Sequence, residues 1–187
     1  MGIRYNAPFV LTFTFFCIFV MAVSDLTGGA TTRQFFTLHP IFVYNDPLSY
    51  MRLISHAAGH ANWEHLGSNF AYILLIGPIL EEKYGTQSLL VMSLITALVT
   101  GLLNTFFFPS FLLGASGIVF MMIILGSFTN VKRGGIPLTF ILVLILFLGQ
   151  EIYNAFEENS ISEFAHVVGG VCGSIFGFVQ NGNNAKS

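Results

Sequence analysis

Charged side chains are scarce in this sequence of 187 residues: Asp, Glu, Lys and Arg together make up 9% of it, whereas 54% of its residues are hydrophobic. A soluble domain has roughly a quarter of its residues charged, so this composition excludes an ordinary soluble fold and predicts a membrane protein. The formal net charge of −2 offers no basic surface for nucleic acid, and we expect no nucleic-acid partner.

Cysteine and aspartate are rare as well. The two cysteines, Cys17 and Cys172, lie in apolar runs, which predicts buried thiols and excludes a disulfide framework. The two aspartates, Asp25 and Asp46, fall in one connecting segment, so an aspartyl dyad inside the membrane is excluded. The pattern H-E-x-x-H, which marks a zinc-protease helix, does not occur.

Six apolar runs are long enough to cross a bilayer as helices. The first follows Arg4 and ends in Ala-Val-Ser at 22–24, like a secretory signal peptide, but the polytopic remainder favours a retained span. The sequence thus predicts an all-α membrane protein with a single domain over 1–187 and a polar tail at 181–187. The predicted spans are 8–25, 66–82, 87–107, 112–130, 136–153 and 164–180.

Basic residues predict the orientation in the membrane, because six spans place both termini on one side. Arg33 and Arg52 lie on the opposite side. Five basic residues lie on the side of the termini: Arg4, Lys83, Lys132, Arg133 and Lys186. The positive-inside rule therefore predicts cytoplasmic termini in the plasma (inner) membrane. The long connection at 26–65 then lies outside, and its many apolar residues predict that it is partly embedded.

Polar groups inside membrane spans are expensive and mark candidate functional sites. Four of them begin predicted spans at the outer side: His65 and Asn69 in the second span, Ser116 in the fourth and His166 in the sixth. A rise of about 1.5 Å per residue puts all four at a similar depth. A serine beside a histidine base is an activated nucleophile, and His65 and Asn69 can donate hydrogen bonds to an oxyanion. Alternatively, His65 and Asn69 are a polar pair that caps the second span and ties it to the loop.

Small residues surround both the serine and the second histidine. Ser116 lies between Gly114 and Gly117, and its alternative role is that of a small residue at a helix contact. His166 begins a helical face that continues with Gly169, Gly173 and Gly177. This face predicts close packing of the sixth span on the fourth.

Three sequence blocks resemble the signature of the rhomboid intramembrane proteases. They read HAAGHANWEHLGSN at 56–69, GASG at 114–117 and AHVVGGVCG at 165–173. The order of the blocks and the spans that hold them also agree with that family, so the resemblance covers essentially the whole chain. It implies a six-transmembrane-helix rhomboid-like bundle with a partly embedded first loop.

The resemblance also implies a chemistry: a Ser-His dyad without a third acid, with Ser116 as nucleophile and His166 as general base. The residues matching His65 and Asn69 would hold the oxyanion together with the Ser116 amide. The implied function is that of an intramembrane serine endopeptidase cleaving transmembrane proteins within or near the outer leaflet. Its implied partners are such substrates and the lipid bilayer; no cofactor and no metal are implied, and the oligomeric state is left open.

Further positions resemble structural residues of the family. Glu81 resembles the glutamate that follows the second span, and Arg52 the arginine of the embedded loop. The supporting glycines are Gly114, Gly117, Gly169 and Gly173. Two positions depart from the pattern: Met51 stands where a Trp often precedes the arginine, and Phe120 where a Tyr often follows the serine. The Phe120 ring can still pack against His166, but it has no phenol hydroxyl.

Two hypotheses of other classes stay open. His56 and His60 are four residues apart and could contribute to a metal site or a metal transporter, although we favour structural hydrogen bonding for this pair. A non-enzymatic relative that binds and delivers transmembrane helices normally lacks a catalytic residue, whereas Ser116 and His166 are both present.

Overall fold

The computed structural model of this protein describes the backbone of residues 2, 4–129, 136–154 and 160–183, and the side chains of these ranges except 147–154, 160–163 and 181–183. Within these ranges the chain forms eight α-helices and no β-strand, which confirms the all-α prediction. The helices are α1 (Pro8–Leu26), α2 (Ala30–Phe35), α3 (Pro47–Ser55), α4 (Trp63–Tyr84), α5 (Thr86–Phe107), α6 (Ser116–Gly126), α7 (Leu138–Asn154) and α8 (Ser160–Asn183). A 3₁₀ turn, His56–Ala58, follows α3.

Six of these helices, α1 and α4 to α8, overlap the six predicted spans. Two of them, α1 and α5, are long and apolar enough to cross a membrane, with mean hydropathies of 2.2 and 2.0. Among the described residues, α6 and the 164–180 part of α8 are shorter apolar helices, and α4 carries charged groups at both ends. The crossing of the membrane by all six helices therefore stays a prediction.

The predicted polar tail at 181–187 begins inside α8, which continues to Asn183. Residues 184–187 lie outside the described residues, as do three of the basic residues on which the predicted orientation depends, Lys132, Arg133 and Lys186. The orientation likewise stays a prediction.

The start of the fourth span differs from the predicted position at residue 112. The helix α6 begins at Ser116, because the segment before it is held in a non-helical conformation. Leu112 pairs with Leu38 through two backbone hydrogen bonds of 2.9 and 3.0 Å, and Gly114 has a φ of 121°, which residues with a side chain rarely adopt. Ser116 therefore stands in the first turn of the helix rather than four residues inside it.

The long connection between α1 and α4 is itself folded. Its helix α3 is capped by Asp46, whose Oδ1 accepts the Leu48 N–H at 3.0 Å, while Pro47 occupies the first helical position. This helix packs on α5 at Gly101, where an added Cβ would collide with the Leu53 carbonyl. The connection thus folds back over α5 instead of extending away from the helices.

Glu81 joins the end of α4 to the start of α1. Its buried carboxylate accepts the Phe9 N–H at 2.8 Å, the Val10 N–H at 3.0 Å and the Thr86 hydroxyl at 2.7 Å. Amides in the first turn of a helix lack acceptors within that helix, and a negative charge there interacts favourably with the helix dipole. Glu81 therefore holds the first turn of α1 against the last turn of α4.

Helices α6 and α8 approach each other closely along a face of glycines. A Cβ at Gly169 would collide with the carbonyl oxygen of Gly117, a Cβ at Gly173 would meet the backbone of α6, and a Cβ at Gly177 would meet the Phe128 ring. The predicted packing of the sixth span on the fourth is confirmed at these positions. Small residues allow this approach where larger ones would separate the helices.

We predict that Gly169→Ala destabilises the protein by about 1–3 kcal/mol, because the added methyl group overpacks the contact with Gly117. The expected decrease in the melting temperature, measured in detergent, is roughly 3–10 °C. Gly67→Ala is the matched control on α4, since a Cβ at Gly67 would meet no atom within 4 Å and alanine favours the helix. A Gly169→Ala variant that melts with the wild type would contradict the contact.

Candidate active site

A cavity of about 410 Å³ lies between α4, α6, α7 and α8. Ser116, His166 and Asn69 all line it, so three of the four polar residues predicted from the span starts meet at one place. The described lining consists of Ser68, Asn69, Tyr72, Ser116, Val119, Phe120, Ile123, Val143, Leu146 and His166.

Ser116 is the first residue of α6 and is half-buried. The preceding residue, Ala115, provides no side-chain cap for the helix, and the amides of a first helical turn have no acceptor within the helix. Behind the serine, Gly117 lets Thr100 of α5 and the Ala165 carbonyl of α8 come close to the backbone, at 3.4 and 3.3 Å from an added Cβ. Ser116 thus stands at the tightly packed start of α6, beside backbone N–H groups of the first helical turn.

His166 lies one turn before Gly169 on α8, and its imidazole is half-buried. The ring packs on Phe120, with 4.2 Å between the ring centroids and 31° between the ring planes. Phe120 lies one turn after Ser116 on α6. Phe120, which stands where the family pattern often has Tyr, therefore still packs against the His166 ring.

His65 reaches the region of Ser116 through the space above Gly114. A Cβ at Gly114 would lie 2.8 Å from both Cε1 and Nε2 of the His65 ring. The backbone N–H of His65 donates to Asn62 Oδ1 at 2.8 Å, so the side chain that caps α4 is that of Asn62. The capping part of the alternative interpretation of His65 and Asn69 is therefore wrong, whereas the contact of the His65 ring with the His60 ring does tie α4 to the loop.

Asn69 lies one turn after His65 on α4 and is 6% exposed. Its Nδ2 donates to the His65 carbonyl at 3.0 Å. An amide nitrogen carries two hydrogens, so this contact orients the Asn69 side chain and uses one of its two donors. The arrangement places donors from α4 on the wall of the cavity that Ser116 and His166 share.

The family model of the Rhomboid domain matches residues 47–182 of this chain. The chain is 21% identical to the Rhomboid protease GlpG of Haemophilus influenzae over 174 residues, which cover 91% of this chain and 90% of that protein. It is 24% identical to the Rhomboid protease GlpG of Yersinia pestis over 186 residues, covering 96% of this chain and 65% of the relative. Rhomboid-like protein 11, chloroplastic, of Arabidopsis thaliana is 22% identical over 151 residues, covering 72% and 54% respectively.

This chain belongs to the rhomboid family. The matched range contains the three blocks at 56–69, 114–117 and 165–173 that carry the resemblance. The rhomboid is thus an integral membrane protein, in agreement with its apolar helices α1 and α5. It spans about half the length of the Arabidopsis relative and about two thirds of that of the Yersinia relative.

His56 and His60 of this rhomboid are both buried, with 2% of each exposed. His56 Nε2 lies 3.1 Å from the Ala97 carbonyl, so the predicted structural hydrogen bond is confirmed for this histidine. For His60 the structural hydrogen bond stays a prediction: the Ala58 backbone lies beside its buried ring. The ring also packs against the rings of His65 and Phe70, with centroids 5.1 and 5.9 Å away.

Arg52 is buried in the rhomboid's first loop. Its Nε donates to the Gln34 carbonyl at 2.8 Å, and its Nη1 lies 3.4 Å from Asp46 Oδ2. The neighbouring Met51 is 41% exposed, so the residue that departs from the family pattern points away from these contacts. In the described ranges, no three side chains of His, Cys, Asp or Glu lie close enough together to hold a metal ion.

Six lining residues of the cavity were not predicted from the sequence: Ser68, Tyr72, Val119, Ile123, Val143 and Leu146. Tyr72 lies three residues after Asn69, so helical periodicity alone places it on the same face. The two α7 residues carry no such signal. An apolar residue on a membrane helix is equally suited to lipid and to a cavity wall, and only the packing of α7 decides between them.

Stability should fall as the pH is lowered, because burial lowers the pKa of His56 and of His60 to about 4, from 6.5. Between these values the unfolded chain binds protons that the folded chain does not, so the free energy of unfolding decreases with decreasing pH. The loss is up to about 1.4 kcal/mol per histidine for each pH unit. Denaturation in detergent should show a plateau above about pH 7.5 and a decline below pH 6.5.

His56→Gln is the control for this prediction, because a glutamine can still donate to the Ala97 carbonyl but does not titrate. The decrease in the free energy of unfolding between pH 7.5 and pH 5 should be about half as large in this variant as in the wild type. Stability that is constant from pH 7.5 to pH 5 would show that the two histidines do not remain neutral in the folded protein.

Proposed function

We propose that this rhomboid is an intramembrane serine endopeptidase that cleaves transmembrane proteins within or near the outer leaflet by a Ser116–His166 dyad. It is an enzyme of the rhomboid-type serine protease class, in agreement with relatives that are named as rhomboid proteases. The observation that carries the proposal is the shared cavity of Ser116 and His166, on helices that touch at Gly117 and Gly169.

Ser116 acts as the nucleophile and His166 as the base. A serine hydroxyl is a weak nucleophile until its proton is removed. His166 takes this proton as the serine oxygen attacks the scissile carbonyl carbon, and it returns the proton to the leaving amine as the peptide bond breaks. Water then attacks the acyl-enzyme ester with His166 again as base, which releases the carboxylic acid and restores the free serine.

The oxyanion that forms during attack accepts hydrogen bonds from His65, Asn69 and the Ser116 amide. Preorganised donors act strongly where water is excluded, and the loss of one typically costs about 10²–10³ in turnover. Support comes from Gly114, which stands two residues before Ser116. Because this residue has no side chain, the His65 imidazole can lie against its backbone. It also comes from Asn69, which lines the cavity beside the serine.

A substrate helix reaches this cavity from the side, between α4 and α7. Ser68 and Tyr72 of α4 form one wall, and Val143 and Leu146 of α7 form another. A continuous helix hides its carbonyls in its own hydrogen bonds, so the substrate unwinds locally. We therefore expect cleavage near the outer end of a transmembrane segment that contains glycine, proline or other weak helix formers.

The α7 helix is the moving wall in this proposal. The inner end of α7 is held by Phe140, whose ring packs on Phe128 and Phe178 with centroids 4.9 and 5.8 Å away. The α8 helix is held to α6 by its glycine face. We infer that α7 is displaced about this aromatic end more easily than α8, whose glycines contact the backbone of α6.

We place the protein as a multi-pass chain in the plasma (inner) membrane, with both termini cytoplasmic and the cavity towards the outer side. The support is the excess of basic residues on the side of the termini, among them Arg4 and Lys83, over Arg33 and Arg52 on the other side.

The nucleophile is tested with a fluorophosphonate probe on the purified full chain. We expect the probe to label Ser116, because an activated serine attacks such electrophiles and a packing serine does not. Ser116→Ala and His166→Ala should each abolish the labelling and the cleavage of a transmembrane test substrate in detergent.

Ser68→Ala is the matched serine control, because Ser68 lines the same cavity but takes no part in the proposed chemistry, and it should retain labelling. Labelling that persists on another serine in Ser116→Ala would remove Ser116 as the nucleophile. Cleavage that stops on addition of a chelator, with labelling intact, would favour the metal hypothesis instead.

The route of the substrate is tested by linking α4 to α7. Cysteines introduced as Tyr72→Cys and Leu146→Cys stand on the two walls of the cavity, and a short bifunctional reagent should join them. We expect the linked enzyme to lose cleavage of the transmembrane substrate while Ser116 remains open to the small probe.

Each single-cysteine variant, treated with the same reagent, controls for simple blocking of the cavity, since the native Cys17 and Cys172 are both buried. Full cleavage by completely linked enzyme would show that the substrate reaches the cavity by another route.

A further inference from the structure

Tyr72 is a polar residue of the cavity wall that the chemistry of Ser116 and His166 does not use. It lines the cavity together with Ser68 and Asn69 of the same helix. Tyr72 is 52% exposed, and no hydrogen bond joins its hydroxyl to another residue in the described ranges. The hydroxyl is therefore accessible and open to a bound substrate.

The other polar side chains of the wall already have partners or roles. Ser68 Oγ and Asn69 Nδ2 each donate to the His65 carbonyl at 3.0 Å, and Ser116 and His166 form the proposed dyad. The rest of the described lining is apolar: Val119, Phe120, Ile123, Val143 and Leu146. Among the described lining residues, Tyr72 therefore offers a polar group that has no other assignment.

The position of Tyr72 along α4 is far from the usual place of a tyrosine in a membrane helix. Tyrosines concentrate at the two membrane interfaces, where the hydroxyl reaches water. The helix α4 has 22 residues, and a rise of about 1.5 Å per residue gives it a length of about 33 Å, close to the thickness of about 30 Å of the hydrocarbon core. Tyr72 follows Trp63, the first residue of α4, by about 14 Å along the axis, so it lies near the middle of the predicted span.

Lipid offers this hydroxyl no partner. Leu75 and Ile79 follow Tyr72 on the same side of α4 and are 70% and 58% exposed, as suits a helix face that meets acyl chains. A hydroxyl without a hydrogen bond in such surroundings costs free energy. Helical side chains lean towards the N-terminus of their helix, which brings the Tyr72 ring towards the part of the cavity that Asn69 lines.

A substrate that unwinds in the cavity has the matching requirement. Unwinding frees backbone N–H and C=O groups from the substrate helix, and these groups need new partners where water is scarce. Along α6 the lining extends from Ser116 to Ile123, which is about 10 Å inward from the nucleophile. The substrate residues that lie there are those on the inner side of the scissile bond, and we call them the inner stretch. Tyr72 lines the same part of the cavity.

We propose that Tyr72 is a specificity-determining residue, whose hydroxyl forms a hydrogen bond with the unwound backbone of the inner stretch. This inference rests on the proposed endopeptidase function. A phenol hydroxyl can donate to a freed carbonyl or accept from a freed N–H. The contact therefore selects transmembrane segments by their ability to unwind on the inner side of the cleavage site, and it is indifferent to any one side chain there.

Tyr72→Phe tests the proposal, because it removes the hydroxyl and keeps the ring. We expect kcat/KM for a transmembrane test substrate, measured with the purified full chain in an uncharged detergent, to fall about three- to tenfold. This is the range for the loss of one neutral hydrogen bond. A short peptide that ends one residue beyond the scissile bond has no inner stretch, and its kcat/KM should stay the same.

Tyr44→Phe is the matched control. Tyr44 is 71% exposed and lies between α1 and α4, outside the described lining of the cavity, so its variant should cleave both substrates as the wild type does. Fluorophosphonate labelling of Ser116 separates this inference from the proposed function. Undiminished labelling of Tyr72→Phe, together with slower cleavage of the transmembrane substrate, supports the contact. A wild type that is not labelled would overturn the dyad itself and the inference with it.

A second transmembrane substrate distinguishes backbone from side-chain recognition. Each polar residue of its inner stretch is replaced by valine, which favours a helix less than alanine does, so the stretch still unwinds. The same reduction of kcat/KM by Tyr72→Phe for both transmembrane substrates supports the backbone contact. A reduction that disappears with the valine substrate would overturn it. Equal kcat/KM values of Tyr72→Phe and Tyr44→Phe, or an equal loss with the short peptide, would overturn it as well.

Discussion

Backbone contact between α6 and α8 is the constraint on which the candidate active site depends. Gly117 and Gly169 meet where a single added methyl group would collide with a carbonyl oxygen. Ser116 immediately precedes the first of these glycines, and His166 lies one turn before the second. Apolar side chains give helices little reason to associate inside lipid, so close packing of small residues is what brings them together. The contact of Gly117 with Gly169 thereby sets how close the helices that carry Ser116 and His166 come to each other.

The loop between α1 and α4 completes the site from the other direction. The carbonyl of His56 accepts the Gly114 N–H at 2.9 Å, while the His56 ring bonds to the Ala97 carbonyl of α5. One loop residue thus connects α5 to the turn that precedes Ser116. The left-handed conformation of Gly114 ends this turn and leaves the space that the His65 ring occupies. The start of α6 and the position of His65 therefore follow from the same glycine.

Particular residues show how far sequence reasoning reaches. The glycine face behind His166 could be predicted, because helical spacing places residues at intervals of three and four on one side. The start of α6 could not, because Leu112 looks like the first turn of an apolar helix until its pairing with Leu38 is known. The surroundings of His56 and His60 could not be predicted for a related reason. A spacing of four residues suggests a pair, but the contacts of each ring depend on how the loop folds over α4 and α5.

The sequence by itself determined that this is an all-α membrane protein of the rhomboid family, with a serine and a histidine near the starts of two apolar segments. Composition, periodicity and local motifs suffice for this, because a lipid environment forces backbone groups to pair within helices. Tertiary structure alone decided which residues of α4 and α7 line the cavity and which groups surround the buried rings of His56 and His60. These properties depend on contacts between segments far apart in the chain, and such contacts leave no periodic signal in the sequence.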